Sequence, residues 1–129
     1  MQEIKGIGAS NGFALGPVRV INRHYSAQGR VVHPPEQEHE LLFAAVALAQ
    51  QEIAALSRRA AERDRDIFTF QIEILNDTGL LSEIRQYISA GTGAAAAVER
   101  AAALYITQIR NITDEYLAGR AGDIQDACR

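Results

Sequence analysis

The chain changes character at Pro34-Pro35, and that change restricts it to a mostly helical body preceded by a short extended arm. Ahead of the proline pair lie Gly6, Gly8, Gly12, Gly16 and Gly29 among β-branched residues; beyond it the sequence is alanine-rich and helix-prone. Pro35 suits the first turn of a helix, and Glu36 and Glu38 complement the positive end of its dipole. Leu42, Val46, Ala49, Ile53, Leu56 and Ala60 then recur at alternating spacings of four and three, the seam of a long helix packed on another. Residues 5–9 and 13–21 read as two short strands joined at Ser10-Asn11-Gly12. Two strands do not hold together alone in water. They therefore pair against the helices, or belong to a sheet whose other strands lie elsewhere, and residues 22–32 form the connection.

A further helix is expected over residues 92–111, with Thr92 as N-cap and Val98, Ala102, Tyr105, Ile109 and Ile112 buried. Thr113 or Asp114 caps the next one, in which Leu117, Ala121, Ile124 and Cys128 fall at i, i+4, i+7 and i+11. No Gly, Asn or Pro follows to stop that pattern, so it predicts a helix left unfinished and a chain excised from a larger protein. Gly119 and Gly122 cost about 1 kcal/mol each relative to Ala inside a helix, which implies close packing of another element, in this chain or in a part of the parent outside it. The stretch Phe68-Thr69-Phe70-Gln71-Ile72-Glu73-Ile74 alternates apolar and polar like a strand. As a helix, Phe68, Ile72 and Leu75 make one stripe and Ile67, Phe70 and Ile74 a neighbouring one, more apolar surface than one helix partner needs. A strand isolated between long helices has no pairing partner, so a helix is expected, broken at Asn76-Asp77-Thr78-Gly79 and followed by a short helical turn over residues 80–88. The fold class is mostly α: a four-helix antiparallel bundle with a kinked second helix, preceded by a two-strand arm.

Several function classes are disfavoured. A net charge of −3 does not suit a nucleic-acid or anionic-membrane surface. Cys128 is alone, so no internal disulfide or cysteine cluster forms, and a reducing cytoplasm is the simplest location. The apolar runs fall short of the ~20 residues that cross a bilayer. The glycine-rich start lacks the G-x-x-x-x-G-K-[ST] phosphate loop, and no helix follows Gly12 to present amides to a phosphate. His24, His33 and His39 lie in or beside the connection without a metal-ligand constellation and are expected to be solvated.

Three motifs then suggest a family. Gly6-Ile7-Gly8-Ala9-Ser10-Asn11-Gly12-Phe13-Ala14-Leu15-Gly16 resembles the opening strands of enzyme I, the phosphoenolpyruvate–protein phosphotransferase of the bacterial phosphotransferase system. Ile67-Phe68 followed by Ile74-Leu75-Asn76-Asp77 and Leu80 resembles its I-F-x-x-H-x-x-L-L-x-D-x-x-L segment. Asp114-Glu115-Tyr116-Leu117 with Arg120-Ala121, Asp123-Ile124 and Asp126 resembles its D-E-Y-L-x-x-R-A-x-D-[IV]-x-D run. The resemblance implies that residues 1–33 belong to a phosphohistidine α/β domain. It implies that residues 34–129 form the helical subdomain docking the phosphocarrier protein HPr, truncated in its last helix. The phosphohistidine motif G-G-x-x-S-H-x-A is not in this sequence, so the fragment itself is expected to be inactive and to hold no cofactor. Magnesium, and dimerisation through a C-terminal domain, are expected only of the parent.

The site implied by the resemblance centres on Ile74, Leu75 and Leu80, with Gln71 standing where the family often has a histidine. Glu62, Asp64, Asp66 and Asp77 form an acidic rim, and Arg120 reaches the partner unless it only pairs with Asp123 one turn on. A rim of this kind steers a basic partner, although Arg63 and Arg65 interrupt it, and an equally plain reading is a solvated helix face. Two alternatives stay open: a structural bundle self-associating through residues 68–80, or the same region of a dihydroxyacetone or nitrogen-regulatory phosphotransferase.

Overall fold

The computed structural model describes residues 27, 29–112 and 114–129, with residues 7, 11–13 and 15–17 of the arm. The expected strands at 5–9 and 13–21 lie largely outside the described residues, among which no strand occurs. The helices are α1 (Pro35–Arg59), α2 (Arg65–Leu75), α3 (Thr78–Ser89), α4 (Ala94–Arg110), α5 (Glu115–Gly119) and α6 (Ala121–Ala127), with a 3-10 turn at Glu62–Asp64 ahead of α2. The mostly helical expectation is met, and the ambiguous stretch from Phe68 to Ile74 is helical.

Helix α1 starts on Pro35, and Arg58 and Arg59 sit in its last turn, where positive charge favours the dipole. Its seam is shorter than expected: Leu42 and Ile53 are buried and Val46 and Ala49 partly so, whereas Leu56 at the end of the helix is 53% exposed. At 25 residues, α1 is long and apolar enough by length and composition to cross a membrane, although its longest unbroken apolar run, Leu41 to Ala49, stays short. Here Leu42 and Ile53 join the core shared with α2, α3 and α4.

Between α2 and α3 the chain breaks at Asn76 and Asp77. Asn76 returns its side-chain amide to the Ile72 carbonyl (3.0 Å) and accepts from Gln50 of α1 (2.8 Å). Asp77 turns extended, and its carboxylate accepts the Leu80 N–H at 2.6 Å, an N-cap. The segment beyond is a twelve-residue helix with its own cap, where the sequence predicted only a short turn. It supplies the deepest part of the core: Leu80, Ile84 and Ile88 are 2%, 3% and 0% exposed.

Gly91 ends α3 with φ +94°, a conformation that suits glycine. Its N–H bonds to the Ile88 carbonyl, and Thr92 N–H to that of Tyr87. Because Thr92 is committed to closing α3, it does not cap α4 as expected; Gly93 holds the N-cap position. The inner face of α4 is also different: Ala97 and Ala101 are fully buried and Ala102 nearly so, while Ile112 lies past the helix end and is 44% exposed. Small side chains let α4 approach α3 and α6 closely, and these are its main packing partners.

Asp114 caps α5 through the Tyr116 N–H (2.9 Å), one of the two predicted caps; Thr113 lies outside the described residues. Arg120 interrupts the terminal helix, and Ala121, Ile124 and Ala127 of α6 pack inward. Within this chain a Cβ added at Gly119 or Gly122 would meet nothing within 4 Å, so no described element packs closely on either.

Candidate functional site

The residues expected to form an apolar landing patch are core residues. Ile74, Leu75 and Leu80 are 9%, 7% and 2% exposed and cluster with Leu42, Ile84 and Ile124. Gln71 is buried as well. The cause is that α2 is covered on two sides, by α1 and by α6, so the surplus apolar arc is absorbed within the chain. The same burial withdraws Ile74, Leu75 and Leu80 from any self-associating face over residues 68–80.

Of the acidic rim, Asp77 is engaged internally. Besides capping α3 it accepts the Tyr105 hydroxyl at 3.0 Å, and burial, followed by this bond, raises the Tyr105 pKa. Glu62 and Asp64 lie in the 3-10 turn; Glu62 is exposed, and Asp64 faces Arg63 at 3.6 Å with both groups well solvated. That contact contributes little to stability.

What α2 leaves outward is a different stripe. Asp66, Phe70 and Glu73 follow at i, i+4 and i+7; both carboxylates are exposed and Phe70 is half-buried between them, with exposed Ile67 and Thr69 alongside. Next to Phe70 stands Arg120. Its guanidinium carbon is 5.2 Å from the Phe70 ring centroid and 4.8 Å from that of Tyr116. Nη1 donates to Asp123 at 3.1 Å and Nη2 to the Tyr116 hydroxyl at 2.6 Å, and these bonds, Tyr116 first, raise its pKa further. Tyr116 is 68% exposed. The result is an aromatic pair bridged by one cation and bordered by carboxylates, a surface suited to binding.

A second polar constellation was missed by sequence reasoning. Glu38 is 4% exposed. One of its oxygens accepts the Ala94 N–H at the start of α4 (2.7 Å); the other takes the His33 N–H (2.7 Å) and lies 3.0 Å from His33 Nδ1. The carboxylate therefore caps α4 rather than its own helix, as a long-range N-cap. The Ala94 bond is the main reason its pKa lies below the usual carboxylate value. The signal was present in the seam: Glu38 stands four residues before Leu42, in core register. His33, expected to be solvated, is half-buried by this contact, and His39 meets the Ser89 hydroxyl at 3.3 Å; His24 lies outside the described residues.

Alongside lies an open, largely apolar groove of about 530 Å³ between α1 and α4, which explains the exposure of Leu41 and Leu48. Cys128 borders it, with its thiol pushed up to about 11 by burial and so unreactive. Among the described residues, no group of three or more His, Cys, Asp or Glu side chains is placed to hold a metal ion.

The family described as PEP-utilising enzyme, N-terminal, matches residues 5–120. The chain belongs to this family. Its relatives include the phosphoenolpyruvate-protein phosphotransferase of Bacillus subtilis, 28% identical over all of this chain and 24% of the relative. The enzyme of the same description from Geobacillus stearothermophilus is 32% identical over 98% of this chain and 23% of its own length. A multiphosphoryl transfer protein of Xanthomonas campestris is 34% identical over 98% and 16%. The chain thus spans a quarter or less of the curated relatives it matches. A solved structure described as "N-terminal domain of Enzyme 1 - Nitrogen" superposes with a TM-score of 0.69 at 28% identity, covering 76% of this chain and 43% of that one. The enzyme I resemblance read from the three motifs is therefore confirmed.

Proposed function

We propose that the helices form the part of a phosphoenolpyruvate–protein phosphotransferase on which a phosphocarrier protein of the HPr type docks, in the cytoplasm. The helices, taken as α1, α2 with α3, α4, and α5 with α6, act as a four-membered bundle, and residues 1–33 join the neighbouring phosphohistidine domain. The observation that carries this reading is the outward stripe of α2 joined to Tyr116 through Arg120, since Ile74, Leu75 and Leu80 are withdrawn into the core. Phe70, Ile67 and Tyr116 supply the desolvated centre, and Asp66 and Glu73, extended by Glu62 and Asp64, supply the acidic rim. Exposed carboxylates around an aromatic centre favour a partner with basic residues around an apolar spot, and raise its association rate. The task is positioning, because transfer between two histidines depends on holding them in line and close.

A titration of the isotopically labelled chain with the HPr-type carrier from the same organism tests this. Amide shifts concentrated at residues 66–73 and 115–120 are expected; no shift at high micromolar carrier would refute it. A second reading, service in the nitrogen-regulatory branch, is favoured by the description of the solved neighbour. Parallel titrations with sugar-branch and nitrogen-branch carriers separate the two by which binds more tightly.

A further inference from the structure

We propose that Arg120 is a positioning residue of this face: it holds the Phe70 and Tyr116 rings in the arrangement the carrier meets, and does not itself contact the carrier. The inference rests on the docking reading above. Arg120 ranks as a partner contact by resemblance, but its geometry is that of an internal brace. Its guanidinium is placed over the Phe70 and Tyr116 rings, and one edge is tied to Asp123 and the other to the Tyr116 hydroxyl. Its side chain is 14% exposed and that of Asp123 21%, whereas Tyr116 is 68% exposed. The cation is thus enclosed while the ring it braces faces outward. The four residues come from three elements: Phe70 from α2, Tyr116 from α5, and Arg120 and Asp123 from the junction and body of α6.

The chemistry selects arginine. Only a planar fork stacks on rings while donating to an oxygen at either end; a lysine ammonium keeps the charge and loses the plane. Without the brace each ring samples about two χ1 wells, the third being rare in a helix, so the arrangement with both rings placed falls to roughly one quarter of the population. Apparent affinity falls by the same fraction, about fourfold.

A double-mutant cycle on the 129-residue chain tests this, reading carrier affinity by calorimetry. If Arg120 braces Tyr116 as well as Phe70, Arg120→Ala weakens binding about fourfold in the wild-type background and about twofold in Tyr116→Ala, where only Phe70 is left to be freed. Arg120→Lys weakens binding to a similar degree, although it retains the charge. Equal losses from Arg120→Ala in both backgrounds, or full affinity in Arg120→Lys, overturn the proposal. Should Arg120→Ala fail to fold, Arg120→Lys takes its place in the cycle with the same two outcomes. A wild-type chain that does not bind the carrier overturns the docking reading and this proposal with it. A wild-type chain that binds while the cycle is additive overturns the proposal alone.

Discussion

Glu38→Gln isolates the clamp joining the approach to α1 with the start of α4. Its two oxygens divide the work, one accepting from Ala94 at 2.7 Å and the other from His33 N–H at 2.7 Å. Glutamine matches the shape but replaces one oxygen with a donor, so in either amide orientation one backbone N–H faces another N–H. Losing a bond to a charged acceptor costs about 1.5–3 kcal/mol, and weakening the surviving bonds to neutral ones adds about 1 kcal/mol. The expected loss is therefore about 3 kcal/mol, or roughly 12 °C in Tm for a domain of this size. Urea unfolding at neutral pH measures it. Acid supplies the sign: the folded pKa of Glu38 is lowered from 4.5, so its contribution is present above that value and fades as pH falls through the folded one. The gap between wild type and variant should narrow in that window, as the wild-type carboxylate also becomes neutral. A gap below about 0.5 kcal/mol at neutral pH, the scale of an ordinary surface change, would refute the assignment, as would one that persists in acid.

Other consequences follow from the packing. Gly79→Ala should destabilise the chain by about 1–2 kcal/mol, since the new methyl collides with the Tyr105 hydroxyl. In a Tyr105→Phe background the same change should become neutral or stabilising, because alanine is the better helix former by about 1 kcal/mol; thermal melts of the four chains decide it. Gly119→Ala and Gly122→Ala should each raise stability by about 0.5–1 kcal/mol, as both sites are helical and open. Ile74→Glu should unfold the chain rather than dissociate a dimer, visible as lost helical circular dichroism, because it places a carboxylate in the core. Glu73→Lys should slow association with a basic carrier and flatten its salt dependence while leaving the melting temperature within a few degrees.

The helices were legible because their apolar positions recur with helical spacing and because prolines, glycines and aspartates mark their ends. Asp114 and the break near Asn76 came from that punctuation. Two kinds of feature were not legible. Ala97 and Ala101 carry so little side chain that a search for large apolar residues passes over them, yet their smallness is why α4 can lie close to its neighbours. Thr92 looked like a cap by type and place, but Gly91 draws its N–H back into α3, a choice made by the conformation of the preceding residue.

The expected apolar centre is buried for one physical reason, which also directs attention to another face. A motif names residue types in order and does not say which face the neighbours will cover. Along α2, Ile74 and Leu75 point into the core shared with α1, α3 and α6, whereas Asp66 and Glu73 point outward with Phe70 half-buried between them. Carboxylates sort by the same rule. Asp77 and Asp114 fall at helix starts and are held there by backbone N–H groups, and Glu38 is drawn inward by the start of a helix 56 residues away. A carboxylate held this way has little potential left to offer a visitor, because its charge is already met by donors at hydrogen-bond distance. Asp66, in the first turn of α2, and Glu73, two turns on, flank Phe70 on an exposed face, and neither serves as a helix cap. Their field extends outward, where association with a charged partner is decided. The acids that can steer a carrier are therefore those the helix ends did not recruit.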